Sequence, residues 1–501
     1  MKLCLLTINA EGFDLPPYGI WILKAFINKY ASVNSINVDV IVSSFNYQTS
    51  NETVVDYLNN INCDVIGFSM YIWNHIQIKE LIHELKSKQQ FFNTKLVLGG
   101  PHVSFDNKEL KELVENNILD ALVVGEGEKP LLHILKCLSM NQNITAYKGV
   151  YTLYKEHPEL SSDLIIYDDN ENINYLPNPY IELPELMDES LEKESIQYET
   201  SRGCPFNCTF CDQGHKPYKS ITMERIESDL KFFADKNTKH TSFLDGTFNL
   251  SNKRTIKLLN LLTTYSRSWT FHAEIKPENL KLEEIQLMAQ ANCLSVELGL
   301  QSAHEKTLRL IKRRNNWSKI EQNVKYLIDY NIEVNVNTII GLPEESLNDW
   351  YETLDYCFNL GNVKILSNVL KILPNTVMAE QIKQFGFDFD STNYTIRKTN
   401  TFKKEEIEIA TVINRLVDLF WNRTGTPSII RTITKELFNG RFSLFLEELF
   451  YFLLKKPTLL EQQSYFYDSI YSFTQSLGIQ TELKKIINNQ LEKDYSLARG
   501  L

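Results

Sequence analysis

Three cysteines fall within eight residues of the segment SRGCPFNCTFC, at Cys204, Cys208 and Cys211. A structural zinc site takes four ligands, and His215 could be the fourth, but no second Cys/His pair follows. A redox dithiol would use Cys208 and Cys211 and would leave Cys204 without a role. An iron–sulfur cluster held by three thiolates would keep one iron open to a ligand that is not protein. The spacing and the strand–helix repeats that follow favour the cluster.

The other cysteines have no such spacing. Each lies alone in an apolar segment, which is typical of a small buried side chain. Together with a reducing compartment, this pattern argues against a disulfide framework. The five residues are Cys4, Cys63, Cys137, Cys293 and Cys357.

Composition excludes several classes of protein. With 43% apolar and 23% charged residues, the chain has the profile of a soluble globular protein. A formal net charge of −11 argues against a surface that binds nucleic-acid backbone, so we expect no nucleic-acid partner. No apolar run approaches the roughly 20 residues that span a bilayer. The N-terminus resembles a first strand, not a signal peptide, and we expect a cytoplasmic protein.

Residues 1–140 alternate short apolar runs with helical patterns, which predicts βαβ units and a doubly wound parallel sheet. Ligands of such sheets bind beyond the carboxyl ends of the strands. Two glycine turns, LGGPHVS (98–104) and VGEGEKP (124–130), are expected at those ends. The pattern GxGxxG does not follow the first strand, which disfavours a dinucleotide-binding site.

The rest of the chain divides into three regions. Residues 141–196 are predicted to form a linker with short strands, exposed because it is rich in proline and acidic residues. Residues 197–375 contain six strands in βα repetition, too few for a closed eight-stranded barrel, and predict a partial (βα)6 barrel. Polar residues at the strand ends, Asp245, Glu274, Gln301 and Asn337, are expected at one mouth. Residues 376–501 predict a mostly helical C-terminal domain, which completes an α/β fold of three parts.

The cysteine spacing CxxxCxxC, with Phe210 before the third cysteine and a βα series after it, resembles the radical S-adenosylmethionine (SAM) enzymes. This resemblance implies a 4Fe-4S cluster on Cys204, Cys208 and Cys211. It further implies that SAM chelates the open iron and is cleaved by one electron to a 5′-deoxyadenosyl radical. The resemblance covers about 180 residues.

The resemblance also implies which residues contact SAM. LDGTF (244–248) stands where the family has a motif for the methionine amino group, although the usual GGE reads DGT here. VELGLQS (296–302) resembles the segment that contacts adenosine and ribose, and NTIIGLPEES (337–346) the motif that packs on adenine through its backbone. The implied SAM contacts are Phe210, Asp245, Gly246, Thr247, Glu274, Glu297, Gln301, Ser302 and Ile340.

A doubly wound domain directly before the radical core resembles the cobalamin-binding subgroup of these enzymes. The motif DxHxxG, which supplies a lower axial histidine, is absent, so cobalamin would be held without that ligand. His102 follows the turn GGP and is interpreted as a turn residue, with an axial ligand as the alternative. The implied cobalamin contacts are Ser69, Gly99, Gly100, Gly125, Glu126 and Gly127.

The combined resemblance implies a cobalamin-dependent methyltransferase that acts on an unactivated carbon or phosphorus centre. The alternative is a cobalamin-independent radical rearrangement, cyclisation or oxidation, with the N-terminal domain as a platform for substrate or partner. Either reaction implies an electron donor such as flavodoxin or ferredoxin and a small-molecule or peptide substrate. The sequence does not name that substrate.

Overall fold

The computed structural model describes residues 1–154, 164–166, 172–214, 216–265, 269–425, 428–456, 465–479 and 481–498. Within them the chain forms two six-stranded sheets, which occupy its N-terminal and middle parts. Helices dominate the C-terminal part.

The N-terminal sheet has the strand order β2-β1-β3-β4-β5-β6, and all neighbours are parallel except β5 and β6. Its strands are β1 (Lys2–Asn9), β2 (Asp39–Asn46), β3 (Val65–Ser69), β4 (Lys95–Gly99), β5 (Ala121–Val123) and β6 (Val150–Tyr151). Its helices are α1 (Tyr18–Tyr30), α2 (Asn51–Ile61), α3 (His75–Ser87), α4 (Lys108–Glu115) and α5 (Glu128–Ser139).

Helices cover both faces of this sheet, as its continuous apolar strands require. Successive side chains of β1 enter different cores. Leu3 and Leu5 belong to the same core as the apolar faces of α1 and α5. Leu6 and Ile8 belong to a separate core with residues of α2, α3 and α4. Because β1, β3 and β4 are parallel neighbours, their carboxyl ends meet at one edge of the sheet.

The connection to the barrel is more compact than the sequence indicates. It contains α6 (Pro179–Glu182) and α7 (Pro184–Glu192), and each helix starts with a proline, which suits the first helical position. Tyr180, Leu186 and Met187 are buried in the main core. The prediction of an exposed connection is wrong for residues 179–192, because these apolar side chains repeat at helical spacing between the acidic ones. One of the short strands predicted in the linker, LIIYDD (164–169), lies partly outside the described residues, and residues 164–166 form no strand.

The second sheet is a curved, fully parallel sheet with the order β14-β13-β12-β11-β10-β7. Its strands are β7 (Ile196–Tyr198), β10 (His240–Phe243), β11 (Thr270–Ile275), β12 (Cys293–Gln301), β13 (Glu333–Ile340) and β14 (Lys364–Val369). Two short strands, β8 (Ser201–Arg202) and β9 (Lys219–Ser220), form a separate hairpin. The helices between the strands are α8 (Met223–Asp235), α9 (Asn252–Tyr265), α10 (Leu282–Gln290), α11 (Glu305–Leu310), α12 (Trp317–Asp329) and α13 (Leu347–Asn359).

Alternation along these strands separates an apolar outer face from a polar inner face. On β11, Phe271 and Ala273 are fully buried beneath the helices, whereas His272 and Glu274 point inward and are more accessible. The same alternation on β12 and β13 turns polar side chains inward. The partial barrel thus encloses a polar lumen that opens at the carboxyl ends of its strands.

The C-terminal part is mostly helical and packs against β14 and α13. It also contains one short antiparallel hairpin, β15 (Asp388–Phe389) and β16 (Ile396–Lys398), which the sequence did not indicate. Its helices are α14 (Val377–Glu380), α15 (Ile382–Phe385), α16 (Lys404–Val417), α17 (Ser428–Phe438), α18 (Phe442–Leu454), α19 (Tyr465–Ser476) and α20 (Thr481–Ala498). Among the described helices, none is both long and apolar enough to cross a bilayer. The predicted three-part α/β fold is confirmed.

Replacing Gly100 with alanine should destabilise the N-terminal sheet. Gly100 has φ +110°, and a Cβ there would lie 2.5 Å from the backbone N and O of Met70. We expect the free energy of unfolding to fall by about 1–3 kcal/mol in urea titrations. Gly12→Ala is the control: φ there is +73°, but no atom lies within 4 Å of the added Cβ, so a loss of about 1 kcal/mol is expected. Equal losses would contradict the steric argument.

Candidate active site

The cysteine loop leaves the barrel directly after its first strand. The paired strands β8 and β9 bring the two ends of the loop together. Gly203 has φ +78°, and a Cβ at this position would overlap the carbonyl oxygen of Pro217. Glycine is the residue that combines this conformation with such a close approach. The residue before Cys204 therefore fixes how the loop turns away from the barrel.

Asp245 fixes the chain just before the cysteine loop by hydrogen bonds. Its carboxylate is fully buried and accepts hydrogen bonds from the backbone N–H groups of Thr200 (2.7 Å) and Ser201 (2.9 Å) and from the Thr200 hydroxyl. Arg254 donates to the carbonyl oxygen of Thr200 at 3.0 Å and compensates the buried charge. The Asp245 side chain is therefore engaged inside the protein. The sequence analysis predicted Asp245 at the mouth of the barrel, but in the structure its side chain is buried and does not line the mouth.

The next two residues do reach the cysteines. Gly246 is exposed beside Cys204, and the Thr247 hydroxyl lies 3.9 Å from the Sγ of Cys204. Cys204 and Cys211 are half-buried, whereas only 9% of Cys208 is exposed. All three thiols therefore lie on one short loop, which packs against the protein on one side and contacts solvent on the other.

No three Cys, His, Asp or Glu side chains of the described residues converge closely enough to hold a single metal ion. A mononuclear zinc ion requires its ligands to converge at about 2.0–2.3 Å. A cluster spreads its thiolates over different iron atoms and does not require Cys204, Cys208 and Cys211 to converge on one point. His215, considered as a fourth zinc ligand, lies outside the described residues.

Two carboxylates face each other inside the lumen. Glu274 and Glu297 occupy paired positions on β11 and β12, and the Asn337 amide donates a hydrogen bond to Glu297. Glu274 is open to solvent through the mouth but surrounded by protein on its other sides. Desolvation, reinforced by the charge of Glu297, raises the pKa of Glu274 to about 7. The two acidic side chains favour a positively charged ligand, and Glu274 exchanges a proton near neutral pH.

The glycine turns of the N-terminal sheet lie together at its carboxyl edge. Ser69 ends β3 beside Gly99 at the end of β4, and Gly100 follows in the left-handed conformation. The turn after β5 contains Gly125, Glu126 and Gly127. Gly125 has φ +85°, and nothing lies within 4 Å of the place where its Cβ would be. The edge therefore offers open space beside exposed backbone.

Large aromatic side chains surround the same edge, a feature that the sequence reasoning missed. Trp73 is 51% exposed and stacks on Tyr71 with a centroid separation of 4.3 Å. The turns after β1, β2 and β4 add Phe13, Tyr47 and Phe105, all exposed. Exposed aromatic groups around an open edge suit a broad, partly apolar ligand. The signal was the segment SMYIWN, but exposure cannot be read from it.

His102 is not available at this edge. The imidazole is buried, packs against His75 with a centroid separation of 4.6 Å, and is hydrogen-bonded through Nε2 to the Tyr394 hydroxyl at 3.2 Å. Burial lowers the pKa of His102 to about 4. The histidine packs behind the turn and joins the N-terminal sheet to the C-terminal hairpin, which agrees with the interpretation as a turn residue.

Arg202 connects the two halves of the site. Its guanidinium pairs with Glu199 of the barrel through Nε at 2.8 Å and with Glu128 of α5 through Nη1 at 2.7 Å. Glu126 of the glycine turn lies 3.9 Å from the same Nη1. The carboxyl edge of the N-terminal sheet and the root of the cysteine loop are thereby in direct contact.

Comparison with known proteins identifies both halves. Residues 198–357 match the family model of the radical SAM superfamily, and residues 5–135 match that of the B12 binding domain. The chain therefore contains a radical SAM domain together with a B12 binding domain. These matches confirm the family and the cobalamin-binding subgroup that the sequence motifs implied, and they identify the chain as a radical SAM enzyme.

Relatives of this radical SAM enzyme include methyltransferases. An uncharacterized methyltransferase of Pyrococcus horikoshii is 26% identical over 369 residues, which cover 70% of this chain and 74% of that protein. The cobalamin-dependent radical SAM methyltransferase TokK of Streptomyces tokunonensis is 25% identical over 354 residues, 64% of this chain and 49% of TokK. The chain thus spans about half the length of TokK. The structure of OxsB, a cobalamin-dependent SAM radical enzyme solved with aqua-cobalamin and SAM bound, has a TM-score of 0.63 at 14% identity, covering 99% of this chain and 83% of OxsB.

Other residues implied as SAM contacts by the radical SAM motifs lie at different depths. Gln301 is buried at the end of β12 with φ +70°, and its side-chain oxygen has no partner among the described residues. The Ser302 hydroxyl donates a hydrogen bond to buried Glu345. The Ile340 side chain faces outward into the core, and Phe210 is half-buried against the barrel. Of these four residues, only Gln301 has a buried side-chain polar atom without a hydrogen-bond partner among the described residues.

Arg313 is a site residue of this radical SAM enzyme that the sequence reasoning missed. Its guanidinium donates to the carbonyl oxygen of Gly299 and lies 4.0 Å from the Sγ of Cys208. Asn315 donates to the carbonyl oxygen of Leu300 at 3.0 Å. Both residues belong to the segment KRRNN between α11 and α12. That cluster of basic residues was the available signal, but only the fold carries it to the cysteine loop.

Glu345→Gln should change how stability depends on pH. Burial raises the pKa of Glu345 to about 8, partly offset by the hydrogen bond from Ser302. The folded enzyme keeps this proton after the unfolded chain has lost it, so the free energy of unfolding falls as pH rises from about 4.5 to about 8. The variant lacks that fall, which is up to about 1.4 kcal/mol for each pH unit.

Urea titrations of the cofactor-free protein between pH 5 and 8.5 measure this effect. Glu482→Gln removes an exposed carboxylate on α20 and should follow the wild-type pH curve. A Glu345→Gln variant whose curve remains parallel to that of the wild type would contradict the assignment.

Proposed function

We propose that this chain is a cobalamin-dependent radical SAM methyltransferase that transfers a methyl group to an unactivated carbon or phosphorus centre. The observation that carries the proposal is the contact between the cysteine loop and the glycine-turn edge, made through Arg202 and Glu128. A methyl carrier at one edge and a radical source at the other would then face a shared space. The names of relatives such as TokK support methyl transfer as the reaction.

The residues around the cysteine loop fit the cluster and SAM. Cys204, Cys208 and Cys211 would hold the cluster, with Gly246 and Thr247 beside the first thiol. Glu274, Glu297 and Gln301 are the lumen side chains proposed to contact SAM, and the two carboxylates attract its cationic groups. Phe210, Ser302 and Ile340 would support this site by packing or through their backbone, and Asp245 would position the loop. When bound, the cluster and SAM would supply a carbon-centred radical, and cobalamin would supply the methyl group.

The N-terminal edge fits cobalamin by shape and surface. The backbone at Ser69, Gly99 and Gly100 is proposed to line one side of the ligand, with the exposed aromatic side chains around it. The open turn of Gly125, Glu126 and Gly127 is proposed to line the other side. Because His102 is buried, its imidazole is not exposed at this edge as a lower axial ligand. The protein would bind cobalamin through its faces and edges.

The chain's own groups orient and shield the reaction. The partial barrel surrounds the lumen with buried apolar strands and helices, which limits the access of bulk water, while Glu274 can retain a proton near neutral pH. One electron must come from outside, and we propose a donor of the flavodoxin or ferredoxin class. The proposed substrate is a small molecule or peptide that enters between the two sheets. The cobalamin-independent alternative is not favoured, because the B12 binding domain match covers the edge described above.

Cys208→Ala should abolish cluster binding and leave the fold intact. The wild type, reconstituted without oxygen, should hold about four iron atoms per chain, as a single 4Fe-4S cluster does. The variant should lose nearly all iron, with a far-ultraviolet circular dichroism spectrum like that of the wild type. Cys63→Ala, which removes a buried thiol of the N-terminal sheet, is the control and should retain its iron. About eight iron atoms in the wild type would contradict a single cluster.

Methyl transfer is tested by loading the enzyme with cobalamin and SAM. After reduction in the presence of cell extract, mass spectrometry should find an acceptor heavier by one methylene unit, and only when cobalamin is present. SAM cleavage without retention of cobalamin would overturn the methyl-transfer proposal and support the alternative. Absence of SAM cleavage in an iron-loaded enzyme would overturn both reactions.

A further inference from the structure

One arginine is shared by the two domains that the proposed function brings together. The Arg202 side chain is only 15% exposed and lies between Glu128 of the N-terminal domain and Glu199 of the barrel. Glu128 is 5% exposed and Glu199 is 16% exposed, so neither carboxylate can turn fully to water. Separate N–H groups of one guanidinium serve the two carboxylates, which is the geometry that arginine supports best.

The barrel side of this contact is rigid. Ser201 and Arg202 are held in the ladder of β8 and β9, and the backbone N–H of Ser201 donates to Asp245. Gly203 continues in the left-handed conformation against Pro217. Arg202 therefore cannot shift without moving the root of the cysteine loop, two residues before Cys204.

The N-terminal side is equally constrained. Glu128 is the first residue of α5, where the helix dipole stabilises a carboxylate, and it follows the turn Gly125–Gly127 directly. Within that turn, a Cβ added at Gly127 would lie 3.2 Å from Leu23 of α1, and Glu126 lies 3.9 Å from the same guanidinium nitrogen. The position of Glu128 therefore sets the position of the turn.

Removing the guanidinium would leave buried carboxylates from two domains facing each other. Breaking a buried ion pair is costly because the remaining charge keeps no partner, and like charges at close range repel. Lysine preserves the charge but offers a single point charge, so it cannot bridge Glu128 and Glu199 as arginine does.

We propose that Arg202 is a positioning residue that fixes the turn Gly125–Gly127 against the cysteine loop, so that cobalamin affinity depends on it. The inference rests on the proposed function in one respect, namely that cobalamin is the ligand of this edge. It assigns a role to a residue that stands just outside the cysteine motif and is not itself among the proposed ligands.

Cobalamin affinity is the first readout, measured by absorbance titration of the cluster-free chain with hydroxocobalamin. Arg202→Gln should raise the dissociation constant about tenfold or more, and Arg202→Lys should give an intermediate value. Adding Glu128→Gln to Arg202→Gln should restore part of the affinity, because it removes the repulsion between the two carboxylates. Such recovery is the signature of coupling between the two residues.

Arg225→Gln is the matched control. Arg225 is similarly buried and pairs with buried Asp229 at 2.9 Å, but both residues lie on α8, within the barrel. Its loss should lower the thermal midpoint about as much as Arg202→Gln does and change cobalamin affinity less than twofold. Equal effects of the two variants on affinity, or an unchanged affinity in Arg202→Gln, would overturn the proposal.

Hydrogen–deuterium exchange of the cofactor-free protein is the second readout, and it does not depend on cobalamin. Arg202→Gln should speed exchange both in residues 124–132 and in residues 203–214, whereas Arg225→Gln should speed neither. If the wild type bound no cobalamin, the proposed function would fail, yet the exchange data would still decide whether Arg202 joins the two segments. Faster exchange in residues 203–214 alone would refute the contact as a positioning device.

Discussion

Buried charge at the root of the cysteine loop is the constraint on which the site depends. Three thiols on a loop can share one cluster only if the loop has a fixed starting point. Asp245 and Arg254 hold that point from within the barrel, and Arg202 holds it from the side of the N-terminal domain. Each buried charge is matched by a partner of opposite sign, so the cost of removing it from water is offset locally.

The two sheets contribute to the site in the same way, through the carboxyl ends of parallel strands. The barrel presents the polar residues of β11, β12 and β13, and the N-terminal sheet presents glycine turns with exposed aromatic side chains. Helices cover the faces of both sheets, so these edges are where backbone and ligand can meet. A reaction between two cofactors requires two such edges to face each other, and the contact of Glu128 with Arg202 brings them together.

Much of this arrangement could be predicted because it depends on local patterns. Apolar runs of four to eight residues located the parallel strands, and the cysteine spacing located the loop. The functions of Asp245 and Arg202 could not be predicted, since each depends on a partner more than forty residues away, such as Thr200 or Glu128. Helices α6 and α7 were not predicted, because a segment rich in proline and acidic residues has the composition of an exposed linker when its burial is unknown. The exposure of Trp73 likewise follows only from the assembled edge.

The shared arginine also orders biosynthesis. Glu128 leaves the ribosome more than seventy residues before Arg202, and domains of growing chains fold from the N-terminus onward. For that interval the N-terminal domain carries a carboxylate at the start of α5 without its cation, and its ligand edge is unfinished. The Glu128–Arg202 ion pair can form only when β8, which carries the guanidinium, has emerged. In a growing chain, the carboxyl edge of the N-terminal sheet therefore gains its contact with Arg202 only when synthesis has reached the start of the cysteine loop.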